Sequence, residues 1–187
     1  MAFTQLNGKR VSLLPLLKEH AEPLFSCSSD PAIWSNYPMV IRSLQEMERF
    51  VEAALNSRSE GDQYPYAVFD NELNKIVGTT RYLRISERHR NLNIGSTWYT
   101  PEVWRTRVNT ECKFLLLQFA FEQWEAVRVE LITTPDNVRS QKAIERLGAV
   151  KEGLFRKKYN QRNYVVYSIT DEEWPAAKDR LAGFLNR

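Results

Sequence analysis

The sequence predicts an α/β (α+β) fold, and three patterns carry that prediction. Between residues 64 and 99, short runs rich in Val, Ile, Thr and aromatics alternate with polar breaks, as in a three-strand meander. From there to Gly148 the hydrophobic period switches twice, reading strand, helix, strand, helix. Residues 149–158 and 163–169 then face each other across Asn160-Gln161-Arg162 as an antiparallel pair. At 187 residues the chain suits one domain spanning 1–187.

The elements follow in order. A short helix is predicted over Leu16–Cys27, and Asp30–Tyr37, with Pro31 and Trp34, reads as an irregular connection. Ser43-Leu44-Gln45-Glu46 has capping-box form, with Met47, Phe50, Val51, Ala54 and Leu55 at helical spacing behind it. Tyr66–Phe69, Ile76–Leu83 and Leu92–Tyr99 are the meander strands, and Pro101 ends the third. Val108, Cys112, Leu115, Leu116 and Phe119 mark one face of the next helix, while Phe114, Leu117 and Phe121 fill the rest, so that helix is buried. Val127, Val129 and Leu131 alternate as a strand, Asn137 opens a helix ending near Gly148, and Asp171–Leu185 closes the chain as a helix.

Composition excludes several classes. With 43% hydrophobic and 26% charged residues the chain is neither disordered nor fibrous. Cys27 and Cys112 are too few for a disulfide framework and form no CxxC pair, and His20 and His89 add no metal spacing, so no metal site is expected. Met1-Ala2-Phe3-Thr4 leads into a polar stretch, and no apolar run approaches the roughly 20 residues of a membrane span, so a cytoplasmic protein without membrane attachment is expected. The net charge of +3 decides nothing by itself.

The informative stretch runs from Gly95 to Glu111: a strand, a polar loop, then a buried helix. Such a loop presents unpaired N–H groups at the positive end of the helix dipole, a natural phosphate cradle, and Arg105 and Arg107 add charge there. A plainer reading has Thr106 capping the helix and both arginines solvated. One strand later, Asn137 and Ser140 stand at the start of another helix, where a ligand held between two adjacent strands would meet both.

Together these stretches resemble the GNAT superfamily of N-acetyltransferases, most closely its RimJ/RimL-type branch. The resemblance implies a mixed, mostly antiparallel twisted sheet of about seven strands, with a central parallel pair splayed for CoA and helices on both faces. In that family the loop reads Q/R-x-x-G-x-G/A and its amides hold the pyrophosphate of acetyl-CoA. Here it reads Trp104-Arg105-Thr106-Arg107-Val108-Asn109, with Arg107 in place of the glycine that would permit close backbone approach. The resemblance implies acetyl-CoA contacts from Trp98, Tyr99, Trp104, Arg105, Thr106, Arg107, Val108, Asn109, Thr110, Asn137 and Ser140. On the acceptor side it implies Trp34, Tyr37, Ser96, Tyr159 and Tyr164.

Acetyl transfer needs a neutral amine. At pH 7 an α-amino group (pKa about 8) is neutral roughly a tenth of the time, a lysine amine (about 10.4) about once in two thousand, so an N-terminal acceptor needs less help from a base. Many GNAT enzymes carry a tyrosine where this chain has Ile144. Ser140 and Glu130 are therefore the candidate catalytic residues, with Glu111 a further carboxylate and His89 read as a loop residue. The expected activity is direct attack of a primary amine, a peptide N-terminus or a small molecule, on the thioester. The alternatives are an acetyltransferase for an antibiotic or polyamine, a non-catalytic acyl-CoA sensor, and a nucleic-acid module using Arg81, Arg84, Arg88 and Arg90, which lacks a base-reading motif. Related folds pair through strands or helices, so a homodimer is one expected arrangement, and no nucleic-acid partner is expected.

Overall fold

The computed structural model describes residues 4–186, so Met1, Ala2 and Phe3, part of the stretch read as free of an apolar leader, lie outside the described residues. The chain runs β1 (Leu6–Asn7), β2 (Val11–Pro15), α1 (Ala21–Ser26), α2 (Leu44–Ser59), β3 (Gln63–Asp70), β4 (Lys75–Ser86), β5 (Asn91–Tyr99), α3 (Val108–Glu122), β6 (Arg128–Thr133), α4 (Val138–Arg146), β7 (Val150–Tyr159), β8 (Arg162–Thr170) and α5 (Trp174–Leu185). Short 3₁₀ turns cover Lys18–His20, Pro31–Ile33 and Pro101–Val103.

One sheet holds eight strands in the order β1-β2-β3-β4-β5-β6-β8-β7, all antiparallel except β5 beside β6. It has eight strands, where about seven were expected, because the chain opens with a hairpin, β1 against β2 (Leu6↔Leu13). The hairpin turn is held from outside: the buried Glu111 carboxylate of α3 accepts the backbone N–H groups of Lys9, Arg10 and Val11 at 2.7, 3.0 and 3.0 Å.

The helices divide between the faces. On β3, Tyr66 and Val68 pack into a core shared with α3, α4 and α5, whereas Ala67 between them packs with α1 and α2, the period of two placing neighbours on opposite faces. Amphipathic α2 starts on Ser43, whose hydroxyl accepts the Glu46 N–H at 3.2 Å. Its reciprocal bond is displaced by one residue, since Glu46 accepts from the Arg42 rather than the Ser43 N–H (2.6 Å).

The helix expected over Leu16–Cys27 is α-helical only from Ala21, because Lys18–His20 tightens into a 3₁₀ turn closed by the Leu17 N–H on His20 Nδ1 (3.2 Å). Likewise α5 starts at Trp174, since Glu173 turns back to accept the Thr170 N–H at 2.9 Å. The Asn160-Gln161 turn has φ of 45° and 58°, as a two-residue hairpin of this twist requires. Among the described residues no helix is long and apolar enough to cross a membrane.

Candidate active site

The parallel ladder between β5 and β6 comprises the pairs Asn91↔Arg128, Leu92↔Val129 and Asn93↔Glu130. Beyond them β5 runs on to Tyr99 beside β4, and β6 to Thr133 beside β8, with no register between the two. About 20 Å of β5 edge thus has no strand next to it. A bulge on β5 accompanies the parting. Trp98 pairs with Thr79 and Gly95 with Arg81, so Ser96 (φ 47°) and Thr97 together oppose Thr80. Gly78 permits the tight approach there, since a Cβ at that position would overlap the carbonyl oxygen of Trp98. Unpaired peptide groups along such an edge can receive an extended ligand as an added strand.

The start of α3 borders this opening. Thr106 Oγ accepts the Val108 N–H (3.3 Å) and donates to the Val103 carbonyl (2.6 Å), one residue ahead of the N-cap Arg107; Asn109 and Thr110, still in the first turn, have no helical acceptor for their N–H groups. Arg107 needs no glycine geometry. Its φ is −73°, and its guanidinium turns away to the Leu185 carbonyl at the end of α5 (3.1 Å). The left-handed residue is Arg105, at φ 62°. A cleft of about 480 Å³ lies here, lined by Arg10, Glu72, Arg105, Thr106, Arg107, Thr110, Arg146 and Phe184. Arg146 of α4 donates to Thr110 Oγ at 3.0 Å.

Two further contacts join the loop to its surroundings. Trp104 donates its indole N–H to the Tyr99 carbonyl (2.9 Å), and the Arg139 guanidinium lies 4.3 Å over its ring. Asn137 caps α4 through the Ser140 N–H (3.0 Å), and Gly148 (φ 97°) follows its end.

On the opposite face, under α1 and α2, the structure brings together Trp34, Tyr37, Ser96 and Trp98. Trp34 lies 5.6 Å from Tyr37, edge to face, and 5.5 Å from Trp98. The Tyr37 hydroxyl is hydrogen-bonded to Ser96 and held above the usual tyrosine range by burial. Trp98 therefore turns its ring towards the expected acceptor side, while Tyr99 packs into the α3 core. Tyr159 and Tyr164 form a separate edge-to-face pair at 5.2 Å in the β7–β8 hairpin, and the Tyr159 hydroxyl is buried without a partner. Arg84 of β4 sits 4.7 Å over Tyr159, although four strand spacings, about 19 Å in a flat sheet, separate β4 from β7. The hairpin end thus folds back across the sheet.

The profile of the family described as acetyltransferase (GNAT) domain matches residues 10–150. The chain belongs to the GNAT acetyltransferases. YoaA of Bacillus subtilis (strain 168), named as an uncharacterized N-acetyltransferase, is 23% identical over 168 residues, 88% of this chain and 93% of YoaA. A GCN5-related N-acetyltransferase from Brucella melitensis superposes with a TM-score of 0.91 at 28% identity, over 99% of this chain and 86% of that one. Mycobacterium smegmatis RimJ, solved in complex with CoA-disulfide, shares the fold with a TM-score of 0.80 at 19% identity, over 92% and 88% of the two chains. As a GNAT acetyltransferase the protein is an enzyme that uses acetyl-CoA. The residues present suit that group: an open strand edge for an extended thioester arm, and first-turn amides beside Arg105 and Arg146 for its phosphates.

For a GNAT enzyme the carboxylates are the remaining question. Glu130 pairs across the last rung with Asn93 and forms an ion pair with Arg128 (3.0 Å), which also binds Glu152; the latter carboxyl is held down to about 2 by Arg128 and Ser168. Glu111 is buried and accepts the three backbone N–H groups of the β1–β2 turn, so it is not a solvated carboxylate. His89 is exposed in the β4–β5 turn. Ser140 is half-buried beside the Asn137 cap.

Two residues on neither candidate list stand close to β5. Lys113, only 7% exposed, donates to Thr97 Oγ at 2.8 Å, and burial pulls its amine down to about 8. A lysine inside the otherwise apolar face of α3 is the signal that could have found it. Arg81, read above as part of a basic strip, is instead buried against Phe50, so that strip is not a continuous surface.

Proposed function

We propose that the chain is one acetyltransferase domain over residues 1–187, of the RimJ/RimL-type branch, acting in the cytoplasm on a primary amine of a peptide N-terminus or a small molecule. The observation that carries the reading is the short β5–β6 ladder, which ends at Asn93 and Glu130 and leaves the upper edges of both strands open. Bound acetyl-CoA supplies an acetyl thioester whose carbonyl oxygen gathers negative charge as the amine attacks directly.

The roles of the chain's own groups follow from their positions. Arg105, Thr106, the amides of Asn109 and Thr110, and Arg146 bind the phosphates. Peptide N–H groups on the open β5 edge, near the Ser96 bulge, donate to the developing oxyanion. Asn137 caps the first turn of α4, in which Ser140 stands, and Trp104 pins the phosphate loop to the end of β5. Trp34, Tyr37 and Ser96 wall the acceptor approach from the α1–α2 side, and the β7–β8 hairpin with Tyr159 and Tyr164 roofs it. Glu130, through water, is the group placed to take the amine proton, although its ion pair with Arg128 makes positioning the larger contribution. A second copy of the chain as partner fits the exposed edge strand β7.

Calorimetry with CoA, followed by mass-spectrometric detection of acetyl transfer to an amine panel, tests the reading. Saturable CoA binding with transfer is expected, and Arg105→Ala is expected to raise the KM for acetyl-CoA. Absence of heat at millimolar CoA together with absence of transfer refutes it.

A further inference from the structure

Arg81 is the least satisfied charge in the described part of the protein. It is 6% exposed, sits on β4 opposite Gly95, and its guanidinium lies 4.8 Å over the Phe50 ring of α2. Nη1 donates to Gln63 Oε1 at 3.1 Å, but Nε and Nη2 are buried with no hydrogen-bond partner, and no ion pair reaches the group among the described residues. These two atoms form one edge of the guanidinium, the edge that presents two parallel N–H bonds to a carboxylate.

On the same face, the indole N–H of Trp98, whose residue pairs with Thr79 two positions along β4, is also buried and unpartnered. Tyr37 is near enough to feel the guanidinium charge, and Ser96 is bonded to Tyr37. Burying a cation with this edge of its fork empty is costly, and the Gln63 bond and the Phe50 ring offset that cost only in part.

We propose that Arg81 anchors a carboxylate carried by the acceptor, so that the substrate is an amino acid or a closely similar amine with a carboxylate near its nitrogen. The inference rests on the acetyl-transfer reading above and narrows its acceptor. A planar monoanion matches one guanidinium edge beside the Phe50 ring, on the apolar face that also carries Trp34 and Trp98, whereas a phosphate near −2 leaves surplus charge on that face. Trp98 Nε1 supplies a further donor, and Ser96, on the β5 bulge, ties the anion pocket to the strand whose open edge receives the thioester. The segment from Pro38 to Arg42, which follows Tyr37 directly, has neither helix nor strand and exposes Met39 and Val40.

The test uses matched trios of amines built on leucine, methionine and phenylalanine: the amino acid, its carboxamide and its decarboxylated amine. With the intact protein and acetyl-CoA, kcat/KM for the amino acid is expected to exceed that for its carboxamide at least tenfold, as loss of a charge-assisted bidentate contact implies. Arg81→Met should bring the two within about twofold while the KM for acetyl-CoA stays unchanged. Its ligand-free Tm should rise, because an unpaired buried charge is removed; a merely structural Arg81 predicts a fall. Arg81→Lys, which keeps the charge but not the fork, should lose most of the preference and serves if the Met variant does not fold.

Equal rates for amino acid and carboxamide, or an undiminished preference in both variants, overturn the inference. A carboxylate-dependent melting shift that Arg81→Met abolishes, without acetyl transfer, sustains the Arg81 assignment and refutes the transferase reading. No transfer and no such shift overturns the inference, and CoA calorimetry then decides the cofactor reading separately.

Discussion

Glu111→Ala should be among the most damaging single substitutions outside the hydrophobic core. The carboxylate lies in the first turn of α3 and is 7% exposed, yet its partners are the backbone N–H groups of Lys9, Arg10 and Val11, a hundred residues away in sequence. Truncation orphans all three. Val11 is fully buried and bears the whole desolvation cost, while Lys9 and Arg10 are partly wetted and bear less. At about 1–3 kcal/mol per buried orphan and about 1 for each wetted one, the loss is about 3–5 kcal/mol, against about 5–15 kcal/mol for a typical domain's whole stability. Urea denaturation followed by tryptophan fluorescence reads it, with the midpoint falling by roughly 2 M for a slope near 2 kcal/mol/M. Glu111→Gln keeps the shape but points an amide N–H₂ at backbone donors, so it should lose about half as much and leave the pH profile of kcat unaltered. A loss under about 1 kcal/mol for the alanine variant refutes the reasoning, and an altered kcat profile for the glutamine variant restores Glu111 as a candidate base.

Burial holds the Lys113 amine at about 8 against an ordinary lysine value near 10.5, so the unfolded chain binds more protons between those values and folding stability rises with pH across that window. Wild type should therefore gain roughly 3 kcal/mol on Lys113→Met between pH 8 and pH 10.5, measured as the difference of two denaturant titrations. Glu152 behaves oppositely, because Arg128 and Ser168 hold its carboxyl down to about 2 from an ordinary 4.5. Its contribution is fully present above pH 4.5 and is lost as pH falls towards 2, so the gap between wild type and Glu152→Gln should close over that range; partial exposure keeps the gap small. Asn137→Ala should cost about 1 kcal/mol through the lost cap and raise the KM for acetyl-CoA, and an unchanged KM would remove Asn137 from the cofactor site.

Much of the fold was legible because short-range physics decides it. The alternation of 64–99, the Ser43 cap and the Asn137 cap each depend on neighbours a few residues apart and stand where the pattern put them, and the final hairpin turn expected over Asn160–Arg162 closes one residue sooner, with Arg162 already in β8. The element limits that shifted, at Leu16 and Asp171, are those where a side chain turned back to cap its own segment. His20 and Glu173 do this, and neither pattern announces it. The loop between β5 and α3 is legible from its place between strand and helix, but its local geometry is not. The left-handed residue is Arg105, and Arg107 is displaced towards α5, which no local rule connects to residue 107.

By itself the sequence determined the element types, the pairing of strand and loop with a buried helix, and hence the family. Those features rest on side-chain period and backbone sterics, which act within a turn or a hairpin. The tertiary structure alone decided how the charges are used, because whether a carboxylate or guanidinium is solvated, paired or stranded depends on what a distant segment brings against it. Glu111 became a clamp for a turn a hundred residues off, Lys113 a buried amine bonded to Thr97, and Arg81 a buried cation with Nε and Nη2 left unpartnered.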